Sequence, residues 1–402
     1  MATFTYDTMK QLRLLIILLF FTNVLFAQKP VKIQKPAIVQ KAPVNIFESI
    51  DKKVLLIPDS LTKTTTGIAK FINTNFSTDI DKTRAIYFWV TSNIKYDIDN
   101  MFAINIYEKK EDKISKSLKT RKGICENYAA IFSDVCSKSG IKNFIIEGYI
   151  KQNELTDYIP HVWCAAYVDS SWYLFDPTWG AGYIMAGKFY QEINNDFFMA
   201  SPAVLIKTHI PYDYLWQFLN YPITNQEFYE GSIEENKSKP YFNYVDSIKV
   251  HENKDNIDQK ISAANRIEKN GIKNSWITEK LKHIRLEIEN DRVSKTMKQY
   301  NSAVTDYNDG IHIFNEFINY RNKQFTPQKN DPEILNMLDT PDNKFKAAKI
   351  KLSQIASPDQ NLANMILQLQ RSINNVITHL TEQQNWLKLY LSKEKSVRKS
   401  MF

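Results

Sequence analysis

Cysteine is scarce in this chain, with three residues in 402, at positions 125, 136 and 164. An odd number cannot pair completely, so at least one thiol stays unpaired. Cys125 and Cys136 fall on one predicted helix, residues 123–139. Eleven residues at ~1.5 Å each separate them by roughly 16 Å. A disulfide needs Cα atoms within about 7 Å, which excludes that pair. Histidine is nearly as rare, with six residues. His251, His283, His312 and His379 lack ligand spacing, and no Ca²⁺ loop is visible. No metal and no cofactor are expected. No nucleic-acid motif is present either. Glycine numbers ten, and only Gly271 and Gly310 lie beyond Gly231. The chain therefore divides near residue 231 into a turn-rich, aromatic part and a part that reads as helices.

Long apolar runs are absent except for "LLIILLFF" at 14–21, which is short for a membrane span. Lys10 and Arg13 precede it and Ala27 follows, so residues 1–27 read as a cleavable signal. The expected address is secreted or periplasmic, with an uncleaved N-terminal anchor as the alternative. No stable membrane insertion is expected once the signal is removed. No cysteine follows the apolar run, which argues against a lipoprotein anchor. The net charge is +8, and removing Lys10, Arg13 and Asp7 leaves +7. The lysines are scattered, which describes a solvated basic surface. Residues 28–45, "QKPVKIQKPAIVQKAPVN", form an extended Lys/Pro-rich linker. Two further segments follow, a first domain at 46–231 and a helical C-terminal domain at 232–402.

In "DKTRAIYFWVTSNIKYD" (81–97), Ile86, Val90 and Ile94 recur every four residues, which predicts an amphipathic helix. The helix at 123–139 ends at Gly140 and buries Cys125, Ala129, Phe132 and Cys136. "FIIEGYI" (144–150), "HVWCAAYV" and "WYLFDPTW" read as strands, the last two joined by Asp169-Ser170-Ser171. Residues 275–323 and 343–356 look helical. Ile366, Leu369, Ile373, Val376, Leu380 and Leu387 form a coiled-coil-like packing face. A short helical bundle is expected, with the tail available to a partner or a second copy.

The chemistry centres on "RKGICENYAAIF" (121–132). A thiolate nucleophile gains from the positive end of a helix dipole, and Cys125 follows Gly123 at a predicted helix start. It needs a base, and His161 opens "HVWCAAYV". Asp176 comes where the next strand ends. If Asp169-Ser170 is a two-residue turn, paired positions sum to 339. His161 and Asp176 then share a face, and Cys164 points to the other. A three-residue loop would instead put His161 and Asp176 on opposite faces.

These motifs, in this order, resemble the transglutaminase-like superfamily, a papain-like thiol fold, over roughly residues 75–230. "FFMASPAVLIKTHIPYDYLWQFLNYPITNQEF" (197–228) resembles the segment that follows the core in kyphoscoliosis-peptidase-like members. The resemblance implies an α+β fold, with N-terminal helices packed on an antiparallel sheet and a helical region behind it. It implies Cys125 as nucleophile, His161 as base and acid, and Asp176 as orienter. The Cys125 N–H would meet the oxyanion, with Trp89 as the side-chain candidate beside it. The implied reaction is on peptide or carboxamide bonds through a thioester, in a peptidase or amidase. A cross-linking acyltransferase and a silent interaction module are the alternatives. A protein or peptide would be the substrate. His209 reads as structural, and Trp163, Trp172 and Trp179 as core and pocket walls. Two departures stand out: Asn127 where many relatives have Gly, and Cys164 where many have Asn.

Overall fold

A computed structural model describes residues 46–105, 108–152, 155–356 and 359–402, with backbone only at 155–159. The expected signal and linker lie outside these residues. Among the described residues no helix is long and apolar enough to cross a membrane. The chain forms two compact units. One holds the described residues up to Lys254 together with Ser262–Leu281, and the other holds Asp255–Ile261 and Lys282–Phe402.

In the first unit, helices α1 (Glu48–Val54), α2 (Thr65–Asn75) and α3 (Asp79–Asn93) precede a short strand, β1 (Lys95–Tyr96). Helix α4 (Lys110–Thr120), strand β2 (Lys122–Gly123) and helix α5 (Cys125–Lys138) follow. The main sheet is antiparallel with order β5-β4-β3-β8, built from β3 (Asn143–Gln152), β4 (Leu155–Val168), β5 (Ser171–Phe175) and β8 (His209–Pro211). A separate hairpin, β6 (Gly182–Met185) and β7 (Lys188–Gln191), completes the strands. The fold is α+β, with helices on an antiparallel sheet and a helical C-terminal region.

The hairpin between β4 and β5 sets the register. Asp169 and Ser170 both take left-handed φ, 45° and 66°, the geometry that lets a two-residue turn match strand twist. Cys164 pairs Phe175 and Val168 pairs Ser171, so paired numbers sum to 339 as the two-residue turn requires. Alternation then separates two cores. Val162, Cys164, Ala166 and Val168 pack toward the helices. Trp163, Ala165 and Leu174 pack with Leu215 and Phe218 on the opposite face.

In the first unit two strand boundaries and one helix face differ from the sequence reading. Strand β5 stops at Phe175, because Pro177 lacks an N–H and the Asp176 side chain takes the following N–H groups. His161 lies inside β4 rather than at its start. Helix α3 is not amphipathic: Thr83, Arg84 and Tyr87 are buried along with Ile86, Trp89 and Val90. A helix covered on several sides loses its polar stripe.

Arg84 shows what that burial demands. It is 1% exposed and donates from Nε and Nη2 to both carboxylate oxygens of Asp51, at 2.8 and 2.7 Å. Nη1 donates to Asn195 Oδ1 at 2.6 Å, and the guanidinium lies over Phe47 and Phe198 at 5.0 and 5.1 Å. The bidentate fork satisfies a charge that would otherwise be costly to bury.

The first unit also holds α6 (Pro202–Leu205), α7 (Asn225–Glu230), α8 (Tyr244–Glu252) and, from Ser262 on, α9 (Asn256–Lys269). The long helices are α10 (Ser275–Asn322), α11 (Asp331–Ser353) and α12 (Gln360–Ser392). Helix α10 gives its residues up to Leu281 to the first unit. Helix α11 begins at Asp331 rather than 343 and runs through the buried Pro341. The predicted face of α12 packs inward: Ile366, Leu369, Ile373, Leu380 and Leu387 are buried with Phe317 and Phe345, and Val376 is partly so.

Replacing Asp51 by Ala strands a buried guanidinium and should cost about 3–5 kcal/mol, read as a lower urea midpoint. Arg84→Met combined with Asp51→Leu should cost clearly less. Equal losses would mean that packing, not charge compensation, holds this corner.

Candidate functional site

The first turn of α5 is held from several directions. Ile124, in extended conformation, precedes the helix. Its N–H donates to Asn127 Oδ1 at 2.9 Å, and Asn127 Nδ2 donates to the Lys113 carbonyl at 3.2 Å. Glu126 is paired with Lys113 at 2.6 Å, and the Tyr128 hydroxyl donates to the Ile94 carbonyl at 2.6 Å. A Cβ on Gly123 would sit 2.6 Å from Asn127 Cβ. Glycine at 123 and asparagine at 127 are therefore linked choices. Through these bonds Asn127 ties the helix start to α4. Cys125, the first residue of the helix, is 4% exposed.

His161 pairs in register with Gly148 of β3. A Cβ there would strike the Ile210 carbonyl oxygen at 2.1 Å and the Trp163 ring at 2.7 Å. The bare glycine lets β8 and Trp163 close over the sheet beside His161. The His161 ring lies over Trp163 at 6.1 Å and near Trp179 at 5.9 Å.

Asp176 is fully buried. Its Oδ1 accepts the N–H groups of Thr178 and Trp179, at 2.9 and 3.2 Å. Its Oδ2 faces His161 Nε2 at 2.8 Å and His209 Nε2 at 3.1 Å. The structure thus brings His161 and Asp176 together as the register implied, and it adds His209. That histidine comes from β8, which pairs with β3, Ile150 opposite His209. From sequence it reads as structural, with lining the cleft as the alternative. The only signal is a rare histidine in the aromatic stretch "KTHIPYD".

Burial by itself would push the His161 imidazole down. The charge of Asp176 and its hydrogen bond outweigh this, with a further contribution from the nearby Cys125 thiol, and raise it to about 10. Burial would push Asp176 up, but His161 first and His209 second hold it well below the carboxylate range. Burial and the nearby His161 charge keep His209 below its ordinary value despite Asp176. One carboxylate cannot neutralise two imidazoliums in a dry site, so His161 carries the charge and His209 stays neutral. With Nε2 turned to Asp176, His161 has Nδ1 left for the Cys125 thiol.

One nitrogen of each imidazole and a carboxylate oxygen of Asp176 lie within 4.8 Å of one another. They come from two strands and a turn, so sequence spacing could not show this. In the structure each nitrogen is engaged with the carboxylate. The other cysteines stand apart. Cys164 is buried, 3.5 Å from the Ala129 carbonyl, and burial pushes its thiol and that of Cys136 up. None of the three is in a disulfide. Trp89 is buried on α3, with the Arg121 guanidinium 5.2 Å over its ring. Trp163 and Trp179 wall the imidazoles, and Trp172 stacks on Phe144 at 5.3 Å.

Residues 66–177 match the family model of the transglutaminase-like superfamily. The match includes Trp89, Cys125, His161 and Asp176, and ends before His209. Kyphoscoliosis peptidase of Homo sapiens is 31% identical over 159 residues, covering 38% of this chain and 24% of that protein. Hillarin of Drosophila melanogaster is 26% identical over 205 residues, covering 45% of this chain and 24% of that protein. The chain therefore spans about a quarter of the length of these curated relatives. A solved structure described as a TGase aligns over 40% of each chain with 19% identity and a TM-score of 0.24.

The charge pattern predicts how stability follows pH. His161 holds its proton to about pH 10 when folded but only to about 6.5 when unfolded. Its contribution is full below about pH 6.5 and is lost as pH rises toward 10. The Asp176 contribution is present above about pH 4 and is lost as pH falls, because its folded value is depressed. The stability gap between wild type and Asp176→Asn should be widest between about pH 4 and 6.5 and should narrow toward pH 10. Urea unfolding at about pH 5.5, 7.5 and 9.5 measures it; a gap that widens with pH would contradict the assignment.

Proposed function

We propose that this chain, whose residues 66–177 form a transglutaminase-like domain, is a cysteine enzyme acting on peptide or carboxamide bonds. One observation carries the reading: a single imidazole, His161, joins the Asp176 carboxylate at 2.8 Å and lies near enough to the thiol at the start of α5 to feel it electrostatically. Cys125 is the nucleophile, His161 the base and then the acid, and Asp176 the orienter.

The thiol proton passes to His161 Nδ1. The thiolate attacks the carbonyl carbon, a C–S bond forms, and the π pair moves to oxygen. The Cys125 N–H, at a helix start, meets that oxyanion, and Trp89 is the side-chain candidate beside it. Collapse expels the amine, which takes the proton from His161 and leaves a thioester. Water, deprotonated by His161, then releases the acid and restores the thiolate–imidazolium pair. A lysine amine in place of water would give cross-linking. The name of the human relative, a peptidase, favours water as the acceptor.

The burial of Cys125 and His161, at 4% and 5% exposed, favours a second reading, an interaction module whose site does no chemistry. In either reading the protein is exported by residues 1–27, or held at a membrane by them. Its helical region is the part offered to a partner or to another copy.

Alkylation by iodoacetamide separates the readings. Cys125 should react at about pH 5–6, and His161→Ala should slow that reaction by about tenfold or more. Cys136 and Cys164 should stay silent in the folded protein. Reaction only above about pH 8, as for an ordinary thiol, would leave the interaction module standing.

A further inference from the structure

The carboxylate of Asp176 has two imidazoles on one oxygen, and the proposed chemistry uses only one. We propose that His209 is a positioning residue for His161: its Nε2–H donates the second hydrogen bond to Asp176 Oδ2 and limits how firmly that oxygen holds the His161 imidazolium. This rests on the reading of Cys125, His161 and Asp176 as a working triad.

The carboxylate sets the tautomer. An ionised Asp176 can only accept, so His209 Nε2, 3.1 Å from Oδ2, carries a proton. In the neutral ring Nδ1 is then unprotonated and accepts from Thr208 Oγ1 at 2.8 Å, a shorter contact than that hydroxyl's other acceptor, the Leu205 carbonyl at 3.4 Å. A charged His209 would have to share one carboxylate with a charged His161 in a site that is 0–5% exposed. Three rings pin the imidazole: Trp179 at 4.7 Å, Trp163 at 5.2 Å and Phe197 at 6.1 Å. The titratable groups bearing on His161 are Asp176 after β5, Cys125 at the start of α5 and His209 on β8. Tyr87 and Tyr128, which feel the Asp176 charge, are pushed up first by burial and stay protonated.

A second donor matters because of what His161 must do. An imidazolium held too tightly is a poor acid for the leaving amine, since an efficient acid has a pKa near the working pH. Each hydrogen bond to Oδ2 shares its charge among more donors and loosens its grip on His161. A residue that only filled space would leave the His161 titration where it was.

The test is NMR of ring-labelled histidines in the full chain, read against pH. In the wild type, His209 should show a neutral, Nε2-protonated ring from about pH 6.5, the ordinary imidazole value, to about pH 9. In His209→Phe, which keeps a ring between the tryptophans, the His161 midpoint should rise by about one unit, the size of one hydrogen bond to a charged group. His209→Gln, which can donate an amide N–H, should bring it back toward wild type. A wild-type His209 that is charged, or protonated on Nδ1, overturns the proposal, and this arm needs no variant to fold. An unmoved His161 midpoint in folded His209→Phe overturns it too. Slow iodoacetamide alkylation of wild-type Cys125 would instead sink the triad reading, whatever the His209 result.

Discussion

A carboxylate with no exposed surface must find its donors inside the protein, and Asp176 finds four. Two are backbone N–H groups of the turn that follows it. Two are imidazoles from strands on either side of β3. Leaving such a charge unpaired would cost several kcal/mol, so each element that brings a donor is constrained by the others. The β4–β5 turn must have two residues, or Asp176 faces away from His161. Strand β8 must pair with β3, or His209 is elsewhere. Residue 148 must be glycine, or β8 and Trp163 cannot close over the sheet.

The part of this arrangement that depends on local spacing was legible in the sequence. Asp169-Ser170 is a short polar turn between two apolar runs, and period-two alternation then places His161 and Asp176 on one side with Cys164 on the other. The structure keeps that register and puts Cys164 against Ala129 of α5. The part that depends on distant pairing was not legible. Nothing in "KTHIPYD" says that His209 lies opposite Ile150, so its place on Asp176 emerges only from the folded sheet. Helix α3 departs from its sequence pattern for a related reason. Its apolar residues fit one stripe, but Arg84 and Thr83 are also buried, and a buried polar group is recognised only once its partner is seen. The early start of α11 was hidden by Pro341, which ordinarily ends a helix.

The two departures from the family pattern now have physical content. Asn127 occupies the space that Gly123 leaves and bridges two backbone groups, which stiffens the turn carrying Cys125. Cys164 is a small apolar side chain between sheet and helix, on the face of β4 opposite His161. Both act on the frame around the site, and neither stands at Cys125, His161 or Asp176.

The central claim is that the Cys125 proton resides on His161. Thiolate absorbance in the ultraviolet, taken as wild type minus Cys125→Ser and followed across pH, measures this without any substrate. A thiolate signal already present at about pH 6, and absent there in His161→Ala, is the predicted result. A signal that emerges only above about pH 8, unchanged by His161→Ala, would contradict the account.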